Sequence, residues 1–428
     1  MPMVVDLCRW TWNLGLMPYS NFWRSHRRTF SQYFRSKYVH KYHPIQRKEI
    51  LRLLMNLLDE PTNFREHVRG YTGAISLRIT HGIESEEDKK YYVELSNHAI
   101  QAFVHAGTRG TFLVDYFPWL KYVPAWLPGA SFKRKANVWA KSSCELNDLP
   151  WDKVKSSLAN GTVTPCIATQ GLEQFKSRIN EMEEIIKNVC GVAYAAGTDT
   201  VGHFVLKTLT SVKILQTVSL LLSAILAMVC HPDVQKQAHA ELDAVVGTDR
   251  LPDFSDHEKL PYIECILKET QRMWPSLPMN IEHYSINDDI YEGYFIPKGT
   301  TVIGNAWAIL HDEATYDDPM TFKPERFLKE EGKQLPPDPT LSFGFGRRIC
   351  PGRYFAHDNA WLMIACILTV FTVEKALDVD GKEIEVKMEH NHGALIYPLP
   401  FQCRFTPRSP QTLNLLNTGF AGQEVADI

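Results

Sequence analysis

Residues 343–352 read Phe343-Gly344-Phe345-Gly346-Arg347-Arg348-Ile349-Cys350-Pro351-Gly352, and the rest of the chain is organised around them. Two glycines let the backbone bend and approach a flat ligand where a Cβ would intrude. Cys350 closes the bend, and Pro351 has its φ fixed for the first turn of a helix. The apolar run from Tyr354 to Phe371 reads as that helix, long enough to be buried. A thiolate at a helix N-terminus beside Arg347 and Arg348 is stabilised by both dipole and charge. Loop, thiol and buried helix together suit a soft-metal ligand. One cysteine with no CxxC or Cys-His pair nearby cannot build a structural zinc site. A glycine-rich turn around a buried structural cysteine is the plainer alternative.

The stretch resembles the haem-binding loop of the cytochrome P-450 family, Phe-Gly-x-Gly-x-Arg-x-Cys-x-Gly. Every specified position is filled, by Phe343, Gly344, Gly346, Arg348, Cys350 and Gly352. The resemblance implies that Cys350 is the proximal ligand of a haem iron, its thiolate pushing electron density toward the metal as is known for this family. Arg348 would pair with a haem propionate, and Phe343 would shield the sulfur.

Composition is compatible with this. A chain of 428 residues, 44% hydrophobic and 22% charged, can bury a large core. Length alone would permit two or three domains, yet no Gly/Ser-rich or charged linker and no internal repeat divides it. One catalytic domain over residues 1–408 is expected, with 409–428 as a polar, disordered tail. A net charge of -3 argues for no particular partner, and nothing suggests nucleic acid. Nine cysteines, odd in number, without a framework and with no signal peptide before them, read as reduced thiols facing the cytosol. The longest apolar run, Val218 to Cys230, is too short for a bilayer.

Along the chain, residues 1–22 are aromatic and apolar and look like the middle of a protein. Trp23 and Arg27 follow, four apart and therefore on one helical face. The family's Trp-x-x-x-Arg helix supplies two donors to the haem propionates, and these residues match it; a solvated basic helix is the alternative. That helix normally follows a membrane anchor, a first small sheet and first helices, so the chain is expected to lack a substantial N-terminal part of the fold. Residues 44–167 read as helical patches alternating with loops. Within them, Tyr116-Phe117-Pro118-Trp119 and Trp126-Leu127-Pro128-Gly129 are aromatic turns, with Lys133-Arg134-Lys135 close behind. The comparable family region lies near the substrate entrance and the membrane surface.

Residues 179–200 read as a helix with acidic first turns and apolar Ile185, Val189, Val192 and Ala196 at helical spacing. Its end, Ala196-Gly197-Thr198-Asp199-Thr200, matches the family's Ala-Gly-x-Asp/Glu-Thr motif. There Ala196 and Gly197 leave room for a diatomic ligand, and Asp199 and Thr200 relay protons; a polar helix end is the alternative. Further on, helices are expected from His231-Pro232 to Gly247 and from Pro261 to Met273. The second carries Glu269 and Arg272, three apart, which with Arg326 match the family's structural Glu-x-x-Arg···Arg triad. Strands are expected over 281–304 and around 372–405. His283 occupies the place of a further propionate partner, and Leu277, Pro278, Ala394 and Leu395 match substrate-lining segments.

The resemblance implies a mainly α fold with small peripheral β-sheets, the cytochrome P-450 architecture of microsomal and fungal members. It implies haem b as cofactor and monooxygenase activity, with one atom of O2 entering an apolar small molecule. Electrons would come from NADPH through the flavins of a partner reductase. A monomer is expected, with secondary metabolism as its setting. For a full-length member the expected location is the cytosolic face of the endoplasmic reticulum membrane, and this chain is expected to lack the anchor. The alternatives are an inactive fragment or gene-model product that binds haem poorly, and a non-catalytic haem-binding protein.

One segment departs from the family pattern. Sixteen residues, Val201 to Gln216, separate Asp199-Thr200 from Thr217-Val218-Ser219, where the family runs straight on. A continuous helix from Asn180 to Cys230 would run about 75 Å in a domain only about 55 Å across, so the helix is expected to break in the insert. Val201-Gly202 permits the donor-like codons GTGGGT, Leu209-Thr210 permits a branch point, and Gln216 permits an acceptor CAG. Sixteen whole codons preserve the frame. The segment therefore reads as a retained intron, with a functional loop beside the oxygen site as the alternative. Transcripts sequenced across codons 200–217 are expected to include a spliced form lacking it. Uniform retention, together with turnover by the chain that contains it, would contradict this reading.

Overall fold

The computed structural model describes residues 1–108, 110–198, 217–393 and 395–416. Asp199, Thr200, Ala394 and the 201–216 segment lie outside the described residues. The architecture is mainly helical with small two-stranded sheets, as expected. Packing separates the described residues into two compact units. The first comprises those up to Val218, with Tyr354–Asn359 and Leu416; the second comprises Ser219–Arg353 and the remainder of 360–415. The expectation of one domain rests on the lack of a linker, but the chain changes unit within helical segments, which leave no compositional mark.

The first unit contains α1 (Asn21–Phe34), α2 (Ser36–Val39), α3 (His43–Asp59), α4 (Phe64–His81), α5 (Glu86–Gly107), α6 (Ser131–Ala159), α7 (Ile167–Gln174) and α8 (Ile179–Thr198). Ser20 caps α1 by accepting the Trp23 N–H at 3.1 Å. Ser85 caps α5, whose first turn carries Glu86, Glu87 and Asp88. Residues 44–167, read from sequence as patches, form four long helices. The reason is visible in α4, which is buried on most of its circumference and so shows no one-sided apolar stripe. It packs against α3 and α8. The apolar start of the chain is core material: Met3, Val4, Trp10 and Trp12 cluster with Leu77, Leu146 and Tyr194. A buried ion pair, Lys89 Nζ to Glu49 at 2.9 Å, joins α5 to α3.

The second unit contains α9 (Thr217–Cys230), α10 (Pro232–Val245), α11 (Pro261–Met273), α12 (Ala306–Leu310) and most of α13 (Arg353–Val370). Pro232 and Pro261 open their helices, as read from sequence. The Glu241 carboxylate on α10 accepts the N–H groups of Tyr262 and Ile263 at 2.9 to 3.2 Å, satisfying orphan donors at the start of α11. Strands β1 (His283–Tyr284) and β4 (Thr301–Val302) pair antiparallel, as do β2 (Asp289–Tyr291) and β3 (Tyr294–Ile296), and β5 (Phe371–Lys375) and β6 (Cys403–Pro407). The β2–β3 turn places Glu292 and Gly293 at φ 48° and 85°, the handedness a two-residue hairpin needs. Buried Gln235 exchanges two hydrogen bonds with the Val373 backbone, at 2.6 and 2.9 Å. No single helix among the described residues is long and apolar enough to cross a membrane.

The disordered tail expected from residue 409 needs correction. Residues 410–416 are helical, Ser409 and Thr412 cap each other at 3.2 and 3.3 Å, and Thr412 and Leu416 are buried. Only two buried side chains hold this turn, too few to register in a polar sequence. Residues 417–428 lie outside the described residues.

His81, the last residue of α4, makes stability sensitive to acid. The Thr80 hydroxyl donates to the Ser76 carbonyl, so its oxygen accepts His81 Nδ1–H at 2.8 Å, while Nε2 is buried without a partner. Burial pulls the pKa of this wholly enclosed ring from 6.5 down to about 3. The unfolded chain therefore binds a proton between pH 6.5 and 3 that the folded chain does not. Stability is highest above pH 6.5 and falls as pH drops through that window. This one ring should cost about 2 kcal/mol between pH 7 and 5. Denaturant unfolding at the two pH values should show that loss, and His81→Gln should reduce it. An identical pH slope in His81→Gln would refute the assignment.

Candidate active site

Within the second unit, the loop of residues 343–352 is a compact double bend. Residues Pro339–Phe343 form a 3-10 turn, Gly344 adopts φ 85° and ψ -168°, and Gly346 adopts φ 52° at the start of a second turn, Gly346–Arg348. Both glycines sit in backbone regions that side chains disfavour. The Cys350 N–H donates to the Phe343 carbonyl at 2.8 Å, closing the loop on itself. Pro351 and Gly352 form a turn, and α13 begins at Arg353 with Gly352 as its N-cap, slightly later than the sequence suggests. The Cys350 carbonyl accepts from the Arg353 guanidinium at 3.0 Å. Cβ atoms built on Gly344, Gly346 and Gly352 would meet nothing within 4 Å, so three bare faces of the loop are open. Phe343, Arg348 and Cys350 are half-buried.

One face of α11 sets where this loop starts. Lys268 pairs with Asp338 at 2.9 Å, and the Gln271 amide donates to Ser342 Oγ and, at 3.4 Å, to the Pro339 carbonyl. Glu269 and Arg272, both fully buried, form a two-pronged pair at 2.8 Å on each arm. Arg326 joins at 3.0 Å, so the triad read from the sequence is assembled. The same carboxylate accepts the Lys323 N–H at 2.9 Å. The remaining guanidinium protons go to backbone carbonyls: Arg272 to Leu310, and Arg326 to Asp317, Asp318 and Thr321. Sequence reading missed Lys268, Gln271 and Asn280; the Asn280 amide reaches the Leu341 carbonyl at 3.4 Å. It also missed Gly304, where a Cβ would come within 2.4 Å of the Phe345 ring.

Two of the expected substrate-lining segments are joined in this unit. The Ile396 N–H donates to the Ser276 carbonyl at 3.0 Å, placing Leu395, which is buried, beside the stretch carrying Leu277 and Pro278. His283 is exposed on β1.

The first unit holds the other candidates. Trp23 is buried and Arg27 half-buried on α1. On α8 the helix runs through Ala196 and Gly197 to Thr198. The family motif assigns Gly197 to leaving room for a ligand, but here its missing Cβ serves packing: a Cβ would fall 2.1 Å from Ser76 Oγ on α4. Thr198 is fully buried, and its hydroxyl has no hydrogen-bond partner among the described residues.

Burial also sorts the cysteines. Desolvation, then nearby carboxylates, pushes the thiols of Cys8 and Cys265 up to about 12. Burial, with a smaller contribution from Cys166, likewise raises Cys190 well above the ordinary thiol range. Such groups remain thiols near neutrality and make poor metal ligands. Cys350 instead lies half-buried in a glycine-built loop flanked by Arg347 and Arg348.

A family model described as Cytochrome P450 matches residues 13–405. The chain belongs to the cytochrome P450 family. It is 42% identical over 420 residues to a cytochrome P450 monooxygenase of Armillaria gallica, covering 97% of this chain and 79% of the relative. A cytochrome P450 monooxygenase of Coprinopsis cinerea is 39% identical over 428 residues, with 97% and 77% covered. The tryptamine 4-monooxygenase of Psilocybe cyanescens is 36% identical over 420 residues, with 96% and 79% covered. A zebra fish cytochrome P450 structure with progesterone shares the fold at TM-score 0.71 and 22% identity, covering 95% of this chain and 87% of that one. The P450 family is one of haem-thiolate monooxygenases, so the chain is an oxidoreductase with a haem cofactor. The loop fits that group: a soft sulfur donor, cationic neighbours for carboxylates, and three glycine faces open to a flat ring.

Glu269 is the anion on which this P450 loop's foundation rests. Glu269→Ala would leave two buried guanidinium groups facing each other, at a cost of about 3–5 kcal/mol. Thermal or urea unfolding of the purified variant should show that loss, with Glu269→Gln retaining part of it. Wild-type stability in Glu269→Ala would show the triad to be dispensable.

Proposed function

We propose that this protein is a haem-thiolate monooxygenase acting on an apolar organic substrate. The observation that carries the reading is the closed Cys350 loop with its three open glycine faces. The chemistry that bound haem b supplies is reductive activation of O2: one oxygen atom enters the substrate, the other leaves as water, and two electrons come from NADPH through a flavin-containing reductase.

The chain's own residues have separable tasks. Cys350 holds the iron through its thiolate, and Phe343 keeps water from the sulfur. Arg348, Trp23, Arg27 and His283 hold the propionates by charge and hydrogen bonding. Gly344, Gly346 and Gly352 let the backbone lie close to the ring, while Ala196 and Gly197 keep small side chains where O2 enters. Asp199 and Thr200, outside the described residues, carry the proton-delivery role on the strength of their motif. Leu277, Pro278 and Leu395, with Ala394, present apolar surface to the substrate.

Membrane association belongs to the same reading. The 3-10 turns of residues 113–122 and the loop after them expose Leu113, Tyr116, Phe117, Trp119, Tyr122 and Trp126, the last two 77% and 78% accessible. Contiguous exposed aromatics with Lys121 and Arg134 alongside suit the interface of a bilayer. This supports a location on the cytosolic face of the endoplasmic reticulum membrane.

Reduced protein under carbon monoxide should give the red-shifted Soret band characteristic of a thiolate ligand. Cys350→Ala should abolish it, whereas substitution of the other eight cysteines should leave it in place. A band surviving in Cys350→Ala would overturn the assignment.

A further inference from the structure

His26 lies on α1 between Trp23 and Arg27 and is completely buried. Its Nδ1 stands 2.9 Å from the Phe22 carbonyl, which can only accept, so Nδ1 carries the proton. Nε2 of the neutral ring is then an acceptor, and Asn188 Nδ2 on α8 donates to it at 3.2 Å. Asn188 Oδ1 accepts in turn from Asn147 Nδ2 on α6 at 3.0 Å. All three side chains are more than nine-tenths buried. The far end of this chain meets Gly191 on α8, where a Cβ would lie 2.0 Å from Asn147 Oδ1. Only a glycine admits the amide there. Burial lowers the His26 pKa, against smaller opposing effects of the Phe22 carbonyl and the Glu184 carboxylate, which keeps the ring in the neutral form that the geometry requires.

We infer that His26, Asn188 and Asn147 form a neutral hydrogen-bond relay whose function is to position α1, and with it Trp23 and Arg27, against α8. A hydrophobic contact would hold two helices together but allow them to slide. A directed chain of three hydrogen bonds in a dry interior allows one axial position and one rotation, because any shift strands a buried donor or acceptor. The residues placed this way flank the histidine on its own helix, so a displacement of His26 is transmitted directly to both. The inference rests on the proposed roles of Trp23 and Arg27 as propionate donors. His26 itself is a positioning residue.

The test uses the full chain loaded with haem. His26→Leu and Asn188→Leu should each speed haem transfer to excess apomyoglobin on the order of tenfold, the effect usual for groups that orient direct ligands. Both should also lower the ferric/ferrous midpoint potential, because less well paired propionates favour the more positive iron. His26→Gln, whose amide oxygen can stand where Nε2 stands, should restore both readouts toward wild type. His26→Asn, whose shorter amide reaches toward Phe22 instead, should not. If His26→Leu does not fold, the Gln and Asn variants make the comparison alone. Equal haem transfer and potential in H26Q and H26N, or wild-type values in H26L, would overturn the relay. Those results with the expected Cys350→Ala spectrum would sink the relay alone. A wild-type chain that takes up no haem would sink the functional reading and this inference with it.

Discussion

The buried carboxylate of Glu269 is the constraint on which the second unit depends. Four donors converge on it: two from Arg272, one from Arg326 and the Lys323 N–H. Burying one anion with two cations would be unfavourable if the surplus charge were left bare. The surplus is instead spread over four carbonyls, one at the end of α12 and three from the loop after it. Irregular backbone between 310 and 326 is thereby tied to a helix by groups that tolerate little displacement. The same helix face carries Lys268 and Gln271, which reach residues 338–342 at the entrance of the cysteine loop. A loop built from glycines has little stiffness of its own. Its shape is imposed from α11 and closed by the bond from Cys350 N–H to the Phe343 carbonyl, with Arg348 N–H to Phe345 and Ile349 N–H to Gly346 inside it.

What could be read from the sequence follows from how local each feature is. The proline-opened starts of α10 and α11, the end of α11 at Met273 and the Glu269–Arg272 spacing lie within a turn or two of helix, where sequence and geometry correspond directly. Arg326 was assigned through family resemblance, since nothing local connects it to a residue 57 positions away. The Gln271–Ser342, Glu241–Tyr262 and His26–Asn188 contacts left no trace for the same reason: a polar residue that satisfies a distant partner looks like any surface residue. Helix α4 was hidden differently, because a helix enclosed on nearly all sides has no period for a pattern to follow. The short helix of 410–416 was hidden because its polar composition is that of a tail.

Gly197 shows how a motif can match while the local physical reason differs. The resemblance implies room for a diatomic ligand. The structure shows an intact turn whose bare Cα lets α8 approach Ser76. Gly73 repeats the device on α4, where a Cβ would lie 2.6 Å from Val93 and 3.1 Å from Thr198. Small residues therefore set the spacing of α4 and α8 on both partners. At Gly197 the missing side chain is taken up by close packing against α4, a consequence the family motif does not imply.

The two units orient their buried polar groups by the same logic with different chemistry. Where an interior chain of hydrogen bonds ends on a group that can only accept, the direction of every bond before it is decided. In the second unit that group is the Glu269 carboxylate, and cations supply the donors. In the first it is the Phe22 carbonyl, which dictates the His26 tautomer, then the Asn188 amide orientation, then that of Asn147. A charged version of the second arrangement would require a proton on both ring nitrogens and would turn the Asn188 donor against another donor. Neutral amides avoid this and need no counter-charge in the core. The ionic device suits irregular loops, whose carbonyls are free to absorb excess donors. The neutral device suits packed helices, because it asks only one helix carbonyl to accept an additional bond.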